Sequence, residues 1–192
     1  MNNIEIEMKY KITKKIYDEI IEYFKIENIK VEVEKQNDIY FSPIHFPFLG
    51  GEIDNECLRL RILENKNILS YKKFIPSTDN EPAHCIEHEL EISDTEKLKL
   101  ILNDLRIKEE FTLKKERKIF IYKNNIEISL DTVDNLGYFI ELEIINHKNI
   151  NESVNEINEF IKNFKITESM RNYDGYSYLL FNEKKKESND NI

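Results

Sequence analysis

Period-two alternation of apolar and charged residues recurs along most of this chain, and it limits what the chain can fold into. In IEIEMKYKI (residues 4–12), Ile4, Ile6, Met8 and Tyr10 alternate with Glu5, Glu7, Lys9 and Lys11. Successive side chains of a strand point to opposite faces, so this segment reads as a strand with one apolar and one charged face. Arg59 and Arg61 alternate with Leu58, Leu60 and Ile62, and Glu87, Glu89 and Glu91 with Ile86, His88, Leu90 and Ile92. Glu127, Ser129 and Asp131 alternate with Ile126, Ile128 and Leu130, and Glu141 and Glu143 with Ile140, Leu142 and Ile144. Lys115 and Arg117 share one face of a further strand.

Helical spacing interrupts the pattern in a few places. KKIYDEIIEYFKIE (14–27) carries Ile16, Ile20, Ile21 and Phe24 on one face, behind Thr13 as N-cap. SDTEKLKLILNDL is a helix capped by Ser93 or Asp94, and the chain from about Ser153 reads as two helices. Strands are expected at 29–42, in the hairpin CLRLRIL–ENKN–ILSYKKF, at IEHELEI, at FTLKKERKIFIYK from Phe111, and at IEISLDTV and YFIELEII. Tight turns fall at KNN and DNLG, where Gly137 supplies a positive φ. About eight strands, mostly joined by hairpins, predict an α+β, mainly β protein. It would be an eight-stranded antiparallel barrel or tunnel with flanking and C-terminal helices. Residues 1–182 read as one domain and 183–192 as a polar tail.

Charge and cysteine usage exclude several classes. A net charge of −9 argues against a general nucleic-acid surface or an anionic-membrane surface. Cys57 and Cys85 have no zinc-ligand spacing, and no apolar run has transmembrane length. The four histidines, His45, His84, His88 and His147, are scattered and read as surface residues. The expectation is a soluble, reduced, cytoplasmic protein.

For any one strand, a charged face in water is the simple account. Six such faces permit another, in which the apolar faces lie under helices and the charged faces look inward. Carboxylates and cations so enclosed carry a large desolvation cost unless a ligand balances them. A metal-bound triphosphate is such a ligand, because its oxygens take several Arg and Lys and its divalent cation takes carboxylates.

The ordered motifs resemble those of the CYTH superfamily, the triphosphate tunnel metalloenzymes. Glu5-x-Glu7-x-Lys9 resembles its N-terminal ExExK. QNDIYF (36–41), LRLR (58–61), YKK (71–73), EHELE (87–91), LKKER (113–117), LDTVDNLGYFIELE (130–143) and YSYLL (176–180) follow in the family's order. QxDxYF and LDxVxxLGxFxExE are most similar to the class IV adenylyl cyclase branch. The resemblance implies that Glu5, Glu7, Glu141 and Glu143 hold divalent metal, Mg2+ or Mn2+, with Asp131 close by. It implies phosphate binding by Lys9, Arg59, Arg61, Lys72, Lys115 and Arg117. Lys9, Lys115, Arg117 and Asp131 would carry catalysis, and Glu89 and Glu91 would support the cations. Asp38, Tyr40 and Phe41 stand where a nucleotide contact or plain packing would serve. ATP is the implied substrate, and cyclic AMP with pyrophosphate the implied products. A triphosphatase acting on inorganic triphosphate, thiamine triphosphate or a nucleotide is the alternative, and a binding module without turnover a third. Family members often pair as dimers, although no apolar stripe in this chain marks an interface.

Two departures accompany the resemblance. Glu87 and His88 stand where family members often carry a basic residue, and KKF replaces the frequent KGP, which leaves Lys73 as a rival to Lys72. In RNYDGYSYLL, Tyr173 and Tyr178 both match the family's late Ser-Tyr.

Overall fold

The computed structural model describes residues 7–49, 55–75, 84–145 and 150–189. The alternating segments form β1 (Glu7–Ile12), β2 (Val31–Pro43), β3 (Glu56–Ile62), β4 (Asn67–Ile75), β5 (His84–Glu91), β6 (Ile107–Tyr122), β7 (Ile126–Val133) and β8 (Gly137–Ile144). The helices are α1 (Lys14–Ile26), α2 (Thr95–Asp104), α3 (Ile150–Asn163) and α4 (Tyr176–Asn189), with a 3-10 turn at Glu168–Met170. All eight strands lie in one sheet in the order β1-β8-β7-β6-β2-β3-β4-β5. The expected mainly β, eight-stranded antiparallel class is therefore found. The sheet is not closed, because β1 and β5 are its two edges.

Three elements differ from the sequence reading. β6 begins at Ile107 rather than Phe111, since the charged KEE run hid the strand. β5 starts at His84, two residues before the expected IEHELEI. α4 runs to Asn189, through residues read as polar tail; Lys and Glu favour helix even without an apolar face.

The chain divides into two compact units, one from residues 1–34 and 115–175 and the other from 35–114 and 176–192. In the first, Thr13 caps α1 by accepting a hydrogen bond from Ile16 N at 3.3 Å. α1 buries Ile16, Tyr17, Ile20 and Phe24. These pack with Ile157, Phe160 and Ile161 of α3 against Ile126, Ile128 and Leu130 of β7 and Ile140, Leu142 and Ile144 of β8. Phe24 stacks on Phe120 at 4.3 Å and on Phe160 at 5.8 Å. Each fully buried side chain of this size contributes about 1.5–3 kcal/mol of transfer free energy. The apolar face of β7 and β8 is thus sealed under helices, and their charged face must look the other way.

Two hairpins in this unit turn on positive φ. Lys123 and Asn124 have φ of 48° and 61°, a left-handed pair inside the three-residue KNN turn, which Asn125 N closes by donating to Tyr122 O at 3.3 Å. The DNLG turn has Asn135 at 63° and Gly137 at 97°, as expected of that glycine. After the 3-10 turn, Arg171 bridges antiparallel to Tyr10, and Asn172 N donates to Lys9 O at 2.9 Å. The Arg171 guanidinium lies 4.9 Å from the Tyr10 ring.

The second unit has a smaller core. Ile39, Phe41, Leu60 and Leu102 are its buried centre, with Leu58, Ile62, Leu69, Leu98 and Ile107 packed around them. Asp94 caps α2 by accepting from Lys97 N at 2.9 Å, and this bond holds its carboxyl below the usual range.

Candidate active site

Strand register decides which charged residues meet. In the first unit Lys9 pairs with Glu141, and Glu141 with Ser129; in the next row Glu7 pairs with Glu143, and Glu143 with Glu127. Arg117 pairs with Asp131 one row the other way. Lys9, Lys115, Arg117, Asp131, Glu141, Glu7 and Glu143 therefore share one face over four neighbouring strands.

Asp131 is the hub of that face and is 0% exposed. Arg117 donates from Nε to Oδ1 at 2.8 Å and from Nη2 to Oδ2 at 2.6 Å, and Lys115 Nζ donates to Oδ2 at 3.1 Å. Arg117 also donates to Glu141, whose other oxygen lies 4.0 Å from Lys9 Nζ. A bidentate fork fixes the guanidinium plane as well as its position. The sequence put Asp131 beside the metal; the structure gives it both cations to hold, and its oxygens are already taken. Asp131 thereby holds Lys115 and Arg117 side by side.

The next row sets three carboxylates side by side, Glu7 and Glu127 each directly across from Glu143, and ends on Ile121 of β6. Like charges in this arrangement destabilise a sheet unless a cation joins them. Ser129, nearly inaccessible, donates to Glu127 Oε1 at 3.3 Å and so orients it. An all-oxygen acidic set fits a hard divalent ion such as Mg2+ or Mn2+. In their present rotamers no three described Asp, Glu, His or Cys side chains converge closely enough to chelate an ion. The fit is thus one of donor type and register, and coordination requires the glutamates to turn. Glu127 was not among the sequence-derived candidates, although its alternation with Ser129 and Asp131 was visible. Glu5 lies outside the described residues.

The second unit holds a separate cationic group. Asp38, 1% exposed, accepts from Arg61 Nε at 2.7 Å and Nη2 at 2.8 Å, and Arg59 Nη1 stands 3.8 Å from its Oδ2. Lys72 shares this face, because its Cα partner is Cys57, in the parity of Arg59 and Arg61. Lys73 points to the other face and pairs with Glu56 at 3.1 Å, so Lys72 is the lysine that accompanies the arginines. Glu87, the departure noted above, pairs with Lys72 at 2.8 Å. Glu89 and Glu91 are exposed and form no ion pair among the described residues. Tyr40 and Phe41 are packing residues: Tyr40 stacks on Phe111 at 4.9 Å, and Phe41 lies in the core. Burial pushes the Tyr40 hydroxyl pKa well up, so it stays protonated. His45 is exposed beside Arg106, and His88 is exposed and stacked on Tyr71. His147 lies outside the described residues.

The chain resembles known proteins over most of its length. The family profile for the CYTH domain matches residues 3–170. A putative adenylate cyclase of Methanocaldococcus jannaschii is 36% identical over 157 residues, which cover 81% of each chain. Among solved structures, a conserved hypothetical protein of Pyrococcus furiosus is 26% identical with a TM-score of 0.64, covering 90% of this chain and 98% of its own. A Pyrococcus horikoshii protein is 25% identical with a TM-score of 0.66, covering 90% and 97%. CYTH-domain proteins are enzymes, cyclases or triphosphatases, that use divalent metal ions. An eight-stranded antiparallel sheet, the ordered motifs and the profile match agree: this chain belongs to the CYTH domain family.

Proposed function

We propose that this protein is a divalent-metal-dependent adenylyl cyclase that converts ATP to cyclic AMP and pyrophosphate. One observation carries the triphosphate part of that reading. Arg117 is clamped between Asp131 and Glu141, with Lys9 and Lys115 beside it and a row of three carboxylates next in register. The sheet thus carries fixed cations for phosphate oxygens beside oxygen ligands for a metal. The cyclase part is supported by the QxDxYF and LDxVxxLGxFxExE motifs and by the name of the 36% identical relative.

Glu7, Glu143 and Glu127 are the proposed metal ligands, joined by Glu141 when Arg117 turns to phosphate, and Glu5 is added by the resemblance. The ion would supply Lewis-acid polarisation of a phosphoryl oxygen. The protein's own part is charge placement: Lys9, Lys115 and Arg117 neutralise the charge that builds on the leaving pyrophosphate, already oriented by Asp131. The bond from the ribose 3′ oxygen to the α-phosphorus forms, the bond from that phosphorus to pyrophosphate breaks, and the hydroxyl proton goes to solvent. Within the second unit, Arg59, Arg61 and Lys72 are the residues that the resemblance assigns to phosphate binding.

A triphosphatase is the second reading, and one observation favours it. Tyr40 and Phe41, the aromatic candidates for a nucleotide contact, are both packed in the fold. The test is product analysis with ATP and, separately, inorganic triphosphate, each with Mg2+ or Mn2+. Cyclic AMP with pyrophosphate supports the cyclase. Orthophosphate without cyclic nucleotide moves the protein to the hydrolases. E7A should abolish turnover while keeping part of the triphosphate affinity; turnover at the parent rate in that variant would sink the metal assignment.

A further inference from the structure

We propose that Ser70 binds a phosphate oxygen together with Nε of Arg59, which makes Ser70 a binding residue of the second unit. The inference rests on the triphosphate reading above and adds a residue to it. Ser70 is 0% exposed, and its hydroxyl has no hydrogen-bond partner. Arg59 is its direct cross-strand partner on β3, and Arg59 Nε is likewise buried and unpartnered. Leaving one such group unsatisfied is costly, and here two stand opposite each other on the face that carries Arg61 and Lys72.

The local geometry accounts for their failure to satisfy one another. Arg59 leans toward Asp38, with Nη1 at 3.8 Å, which draws its guanidinium along the strand and away from Ser70. Asp38 accepts two short bonds from Arg61 and leaves Nε of Arg59 unserved. Glu89, the neighbour of Ser70 on β5, is exposed and leaves the hydroxyl unbonded. A guanidinium only donates, and a hydroxyl can donate. Two buried donors on adjacent strands with no acceptor between them fit an anionic oxygen. A phosphate supplies one, and Arg59 supplies the attraction, because Arg61 and Lys72 on the same face are already paired with Asp38 and Glu87 while Arg59 comes only to 3.8 Å of Asp38.

The test compares the parent with S70A, S70T, R59K and the S70A/R59K pair. Binding of inorganic triphosphate is measured by calorimetry, thermal unfolding without ligand, and KM and kcat with whichever substrate turns over. S70A removes an unsatisfied buried hydroxyl, so it should unfold at the same or a higher temperature. It should bind triphosphate roughly tenfold more weakly and raise KM by a similar factor, as expected for a lost bond to a charged group. S70T should keep the parent affinity. R59K keeps the charge but loses the Nε donor, and the double variant should lose less than the product of the single losses.

Parent affinity in S70A, beside normal triphosphate binding by the parent, would overturn the role of Ser70 and leave the proposed function standing. A lower unfolding temperature with unchanged affinity would do the same, by revealing a hydroxyl bonded within the fold. Absence of triphosphate binding by the parent would instead bring down the function reading, and this inference with it.

Discussion

Both units meet the same problem, a buried aspartate facing two cations, and they solve it differently. In the first, Asp131 is 0% exposed and one of its two cations, Lys115, is only 2% exposed, while the other, Arg117, is 16% exposed, so one ion pair is cut off from water. A sheet sealed beneath by α1 and α3 backs it. In the second, Asp38 is equally buried, but Arg59 and Arg61 are 15% and 17% exposed and the core behind them is small. The first unit has its charges locked before a ligand arrives. The second leaves two buried donors, Arg59 Nε and Ser70 Oγ, without a partner.

Removing each aspartate tests that contrast. D131A strands Lys115 and Arg117 without their counter-ion and should cost about 3–5 kcal/mol. D38A leaves its cations partly in water and should cost about 1–3 kcal/mol. Urea unfolding of the two variants measures both, and equal losses would erase the distinction between the units.

A smaller contrast lies in the hairpins. Gly137 has φ +97° with nothing within 4 Å of an added Cβ, so G137A should cost about 1–2 kcal/mol from backbone strain alone. The β3–β4 hairpin closes with Leu63 N donating to Lys66 O at 3.0 Å and contains no positive φ among its described residues. N65A there should stay within about 0.5 kcal/mol of the parent. Thermal unfolding of the pair checks this, and a larger loss from N65A than from G137A would contradict it.

The smallest effect concerns Cys57. Burial pushes its thiol up from the ordinary 9.0, outweighing the nearby positive charges of Arg59 and Lys72. The folded state therefore keeps this proton at pH values where the unfolded chain has lost it. This contribution favours folding less and less as pH rises above about 9. At pH 8 a thiol reagent should modify exposed Cys85 well before Cys57. Replacing Cys57 by Ala should flatten the stability loss between pH 8 and 10, as denaturant midpoints at the two values would register.

Much of the sheet was legible in the sequence because strand alternation has a period of two and survives any context. Thr13, Asp94 and Gly137 were legible for a similar reason, since caps and left-handed turns select their residues locally. Burial was not legible. Asp131 and Glu91 sit in equally regular alternations, yet one is sealed and the other exposed. The difference lies in which helices cover the opposite faces, and that depends on the whole chain. The saturation of Asp131 and the placing of Glu127 opposite Glu143 were hidden too, because both depend on register between strands. Ser70 gave no sign at all: a serine between Leu69 and Tyr71 acquires meaning only when Arg59 is placed across from it.

The segment that crosses β1 after the 3-10 turn bears on how copies of this chain meet. A strand edge offers unpaired backbone donors and acceptors to any passing strand. At β1 the backbone of Asn172 and the guanidinium of Arg171 already occupy part of that edge. The far edge, β5, is protected by chemistry instead, because residues 85–91 are exposed and carry Glu87, Glu89 and Glu91 in one parity. A second copy adding antiparallel about Glu89 would set Glu89 against Glu89 and Glu87 against Glu91. One margin of the sheet is latched and the other repels its own likeness, so fibre-like growth by strand addition is disfavoured at both ends.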